Sequence, residues 1–163
     1  MIPLTAMPMT RPSTNPWLAS IYAGVFTAII AAAFVLTFQA AVPVLYIITL
    51  LLIGAGPVLG YQIANGTLGS EWLALIGGII GGIPVLDIIL WPILVGALSR
   101  TQSIGKLFLI NIIGLIIGII VFLLLTKVLN TQDPAWLGPA IVIGAAFWGG
   151  ACGAMMTAWR NAA

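Results

Sequence analysis

The feature that most constrains this chain is a series of apolar runs, each close to twenty residues or longer and nearly free of charge. Trp17 to Phe38 contains no Asp, Glu, Lys or Arg. Wound as a helix at 1.5 Å per residue, such a run reaches about 33 Å, enough to cross the hydrocarbon core of a bilayer. Four further runs follow, over 42–61, 72–98, 107–126 and 136–159. They are continuous rather than alternating, which excludes the ten-residue dyad pattern of a membrane β-barrel. The expected fold is all-α, a polytopic transmembrane bundle of about five spans over 17–160, preceded by an irregular arm over 1–16.

Composition agrees. Hydrophobic residues make up 62% of the chain and charged residues 5%, against roughly 25% charged in a soluble domain. Eight formal charges cannot hold such a surface in water, whereas hydrocarbon solvates it. Five Lys and Arg are too few for a nucleic-acid footprint, so no nucleic-acid partner is expected. The arm carries four prolines and one charge, Arg11, and the run behind it exceeds the roughly 7–15 residues of a signal core. It is therefore expected to be retained.

Local signals set the segment ends. Asn15-Pro16 and Asp133-Pro134 are cap-plus-proline helix starts. The second segment begins at Pro43 and carries Gly54, Gly56, Pro57 and Gly60, which predicts a kink near Pro57. Asn65 to Ser70 and Asn130 to Pro134 read as loops, and Lys106 and Lys127 bracket the fourth segment. The third is the irregular one, interrupted by Gly77-Gly78, Gly81-Gly82, Pro84, Asp87 and Pro92. Read as one span, it places the N-terminus outside and the C-terminus in the cytoplasm. Arg100, Lys106 and Arg160 then face Arg11 and Lys127, with Glu71 and Asp133 on the latter side. The expected location is the cell (inner) membrane. An alternative is four spans with the third segment re-entrant at Gly81 to Pro84. Arg11, Arg100, Lys106 and Arg160 then share one side against Lys127.

Asp87 is the one acid well inside an apolar segment. A carboxylate there must be protonated, paired or turned to a cavity. It is either a proton or cation site, with carbonyls freed by Pro84 and Pro92 beside it, or a polar anchor between helices. Asn111, one turn into the fourth segment, is read chiefly as a hydrogen bond across helices. Gln39 and Gln62 fall near the interfaces. Four small-xxx-small pairs, Gly77/Gly81, Gly78/Gly82, Gly114/Gly118 and Gly149/Gly153, mark faces where another helix can come close. Whether that helix belongs to this chain or to a partner is open at this level. Cys152 reads as a small buried residue, Met155 and Met156 as packing, and Asn65-Gly66-Thr67 as a glycosylation triplet of the length chance supplies.

The absences narrow the chemistry. With no histidine and one cysteine, the chain has no usual haem ligand, no zinc or copper set, no iron–sulfur set and no Ser–His or Cys–His pair for acyl transfer. A non-catalytic role is therefore expected, without a cofactor beyond a bound lipid or other lipid-soluble molecule. The leading expectation is an accessory subunit of a larger membrane complex, such as an energy-converting, electron-transport one, with lipids and other membrane subunits as partners. The second is a small homo-oligomeric transporter or channel using Asp87 in the broken third segment. The third is a binder of a lipid-soluble ligand such as a quinone or carotenoid.

Overall fold

The computed structural model describes residues 15–83, 86–128 and 136–160, all of them helical or in short connections. Seven helices follow in order: α1 (Pro16–Gln39), α2 (Pro43–Leu52), α3 (Ala55–Asn65), α4 (Trp72–Gly81), α5 (Asp87–Leu98), α6 (Ile104–Val128) and α7 (Leu137–Ala158). The arm over 1–14, Pro84 and the loop carrying Asp133 lie outside the described residues.

Three helices, α1, α6 and α7, are long and apolar enough to cross a membrane, and α2 with α3 makes a fourth if their 45° bend is one span. The start of α1 has a direct cause. Asn15 Oδ1 accepts from Trp17 N at 3.0 Å, and Pro16 fills the first turn, where an N–H would be idle. The α2–α3 bend also has one. Pro57 lacks the N–H that would bond the Ile53 carbonyl, so Gly56 N donates to it instead at 3.1 Å and tightens the chain around Gly54. The break thus falls one turn before the proline expected to cause it.

The third segment is corrected by the structure. It is not one interrupted rod over 72–98 but two short helices folded back on each other. A Cβ added to Gly77 would lie 2.8 Å from the Leu94 carbonyl carbon, and one on Gly81 would lie 2.6 Å from Trp91 Cα. The near end is clasped as well. Glu71, just before α4, accepts from Ser99 Oγ at 3.3 Å and from Arg100 N at 3.1 Å, just after α5. The segment therefore enters and leaves at the same end of the bundle, which we call the base. At ten and twelve residues, the two helices are each about 15–18 Å long, half a bilayer.

This folding-back also corrects the placement of the ends. Helix α7 runs antiparallel to α1, with Gly153 against Ala19, Gly149 against Thr27 and Gly138 against Val35. The start of α1 and the end of α7 thus share the base instead of lying at opposite ends, as an odd number of crossings requires. The contact is close because α1 presents Ala19, Ala23, Thr27 and Ala31, all buried and four residues apart.

The core runs from α3 through the hairpin to α6 and α7, built on Val58, Tyr61, Trp91, Val95, Ile110, Trp148 and Met156. Around it the large apolar side chains point outward: Val44 is 68% exposed, Leu36 65% and Ile21 60%. An apolar periphery on helices of spanning length is the build of a helical membrane protein.

Candidate functional site: a cavity where two helix breaks meet

Two interruptions meet midway along the bundle. Gly54, at the α2–α3 break, lies against the end of α4: a Cβ on Gly54 would be 2.7 Å from Gly82 Cα, and one on Gly82 would be 2.5 Å from the Leu51 carbonyl oxygen. Only glycine lets the two backbones approach this far. At this depth polar side chains must find partners within the protein, and here they find them at the helix breaks. Trp91 Nε1 donates to the Gly54 carbonyl at 2.7 Å. Asn111 Nδ2 donates to the Asp87 carbonyl at 3.2 Å, and Asn111 Oδ1 accepts from Trp148 Nε1 at 3.0 Å. Asn111 is thus fully buried and spans three helices. The two indoles pack at 6.4 Å between centroids.

Beside this layer lies a cavity of about 310 Å³, walled by Leu50 and Ile53 of α2 and its end, Gly82 and Asp87 of the hairpin, Phe122 of α6 and Trp148 of α7. Ligand sites in proteins begin near this size. Asp87 supplies the one carboxylate on the wall. It is half-buried, at the first position of α5, over its own N–H and that of Ile88. The positive end of a helix sits there. The arrangement suits an apolar body with one polar or cationic group directed at Asp87. Among the described residues no three His, Cys, Asp or Glu side chains gather to hold a metal.

The paired glycines all meet helices of this chain. Gly77 and Gly81 receive α5, Gly78 and Gly82 receive the Gly54 break, Gly114 and Gly118 receive Trp148, and Gly149 and Gly153 receive α1. Cys152 is buried with its sulfur 3.8 Å from the Ile110 carbonyl. Asn65 of the glycosylation triplet is buried, its amide donating to the Tyr61 carbonyl and to Thr157 Oγ1.

Sequence reasoning missed the second polar cluster, at the base. Glu71, read as an edge acid, is 3% exposed. Tyr61 Oη meets Thr101 Oγ1 at 2.7 Å, and Thr101 Oγ1 donates to Glu71 Oε2 at 3.1 Å. Gln62 Nε2 donates to the Glu71 carbonyl at 2.6 Å, and Gln102 Nε2 to the Met156 carbonyl at 2.8 Å. The available signal was the density of Gln, Asn, Thr and Ser over 62–71 and 99–103, but only the folded-back hairpin joins the two stretches.

These features are those of a helical membrane protein with an open, largely apolar cavity that carries one carboxylate. No family model matches the chain, and no curated protein and no solved structure is significantly similar to it.

Proposed function

We propose that the chain is a non-catalytic membrane carrier or transporter that holds a lipid-soluble or amphipathic small molecule in the mid-bundle cavity, with Asp87 contacting its polar group. The observation that carries this reading is the meeting of two broken helix pairs, at Gly54 and at Gly82 to Asp87, around a cavity with a single carboxylate. Interrupted helices ending at mid-membrane depth are how transporters place polar groups against a substrate. In this reading α1, α2 with α3, α6 and α7 cross the bilayer and the α4–α5 hairpin is re-entrant. The base then carries Arg100, Lys106 and Arg160, with Lys127 at the other end, which puts the base and both ends of the helical domain in the cytoplasm.

The test is native mass measurement of the protein purified in mild detergent. A small molecule should co-purify with the wild type and be lost from Asp87→Asn at unchanged oligomeric state. Retention of the same molecule by that variant would remove Asp87 from the site. An accessory place in a larger complex, including an electron-transport one, is the second proposal. It draws on α2, which buries none of its residues and leaves its surface to lipid or a partner. Co-purification of other membrane chains in fixed ratio supports it.

A further inference from the structure

We infer that the base of the bundle holds one alkali-metal cation, bound by the side-chain oxygens of Gln62, Asn65, Thr67 and Gln102 beside the buried Glu71. This site is separate from the mid-bundle cavity and does not rest on the carrier reading.

The inference starts from an imbalance of acceptors. Among the described residues, Gln62 Oε1, Asn65 Oδ1, Thr67 Oγ1 and Gln102 Oε1 are buried and have no hydrogen-bond partner. Their residues are 0%, 4%, 7% and 4% exposed. Buried polar atoms are nearly always satisfied, so four in one neighbourhood call for a missing ligand. The amides are not simply turned the wrong way. Each nitrogen already faces an acceptor: Glu71 O for Gln62, Tyr61 O and Thr157 Oγ1 for Asn65, and Met156 O for Gln102. Flipping any of them would set oxygen against oxygen.

The Thr101 and Tyr61 protons are committed. Thr101 Oγ1 donates to Glu71 Oε2, so it must accept from Tyr61 Oη. The single phenolic proton is thereby spent, although Gln102 lies beside it. The network links the end of α3, the 66–71 turn, the start of the 99–103 connection and the end of α7. Thr67 N donates to Gln62 O and Glu71 N to Thr67 O, which folds the turn back over Gln62. The same hydrogen bonds join all three amide side chains to this knot.

The donor set selects the ion class. Neutral amide and hydroxyl oxygens with one carboxylate close by replace the hydration shell of a hard, singly charged cation. Calcium sites use several carboxylates, and soft metals need sulfur or imidazole. Glu71, whose carboxylate takes its hydrogen bonds from Ser99, Arg100 N and Thr101, supplies the negative charge beside these oxygens, with Arg160 also acting on the network at Tyr61.

The test uses full-length protein in detergent, exchanged into choline chloride. Titration with NaCl, KCl or MgCl₂ at matched ionic strength is read by thermal unfolding and by equilibrium binding of radioactive sodium or rubidium. One alkali cation should bind per chain, with a saturable rise in the unfolding midpoint that choline and magnesium do not reproduce. Gln62→Met and Gln102→Met should each weaken binding at least about tenfold, and Gln39→Met, at the other end of the bundle, should leave it unchanged. Equal midpoints in all salts with no bound cation would overturn the site, even if neither base variant folds. Full binding by both base variants would overturn the assignment of ligands.

Discussion

Single side chains at the middle of this bundle tie its helix breaks to the neighbouring helices. Asn111 is the clearest case, since its one amide serves an α5 carbonyl and a Trp148 N–H together. Replacing Asn111 by Leu keeps the volume but strands the Trp148 indole N–H in an apolar layer. We expect a loss of about 1–3 kcal/mol, measured as detergent-solubilised thermal or denaturant unfolding. Trp91→Phe removes one donor and keeps most of the packing, so it should cost about 1 kcal/mol. An Asn111→Leu variant as stable as the wild type would show that water reaches this layer. At the turn between α1 and α2, Ala41 sits at a φ of 53°, where a Cβ is unfavourable. That turn joins helices whose Thr37 and Thr49 hydroxyls are 3.2 Å apart.

At the scale of elements, the long helices were legible in the sequence, and the hairpin only as the alternative to a fifth span. Asn15-Pro16 opens α1 as read, Lys127 lies in the last turn of α6, and Pro57 does break its segment. Hydropathy carries that much because a spanning helix must be apolar along its whole length. The same measure cannot tell a 27-residue rod from two antiparallel half-rods, since both need apolar side chains throughout. The difference lies in contacts between residues far apart in sequence, Gly77 with Leu94 and Glu71 with Ser99 and Arg100. The site divides likewise. Asp87 and Asn111 stood out as polar residues in apolar runs, whereas Glu71 and Gln102 stood at segment edges, where polar residues are ordinary.

Close approach also decides what elements tolerate. A Cβ at Gly60 would collide with the backbone of Tyr22 and Ala23, while one at Gly105 meets nothing within 4 Å. Gly60→Ala should therefore destabilise by about 1–3 kcal/mol through overpacking of α1 on α3. Gly105→Ala should be neutral or gain up to about 1 kcal/mol from helix propensity. Both are read by unfolding of the purified variants, and equal behaviour would contradict the α1–α3 contact.

For the whole molecule, the decisive property is that both feet of the hairpin stand at one end. In a chain whose buried Cys152 is replaced by Ser, new cysteines at Ser70 and Ser103 should be labelled by a membrane-impermeant maleimide from the same side. One at Ala40 should be labelled only from the other. Labelling of positions 70 and 103 from opposite faces would restore a single crossing between them.

The clasp has a consequence for biogenesis. In the re-entrant reading a half-length hairpin is not expected to settle in lipid by itself, because α5 is tied to Gly54 through Trp91 and to α7 through Asn111 and Trp148. The base is tied to Met156 and Thr157, a few residues before the end of α7. In that reading the hairpin is expected to seat only after α7 has been made, so this middle stretch enters the bilayer after the helices on either side of it. In chains stalled before residue 136, a cysteine at position 94 should still react with the water-soluble reagent, and it should become protected on release.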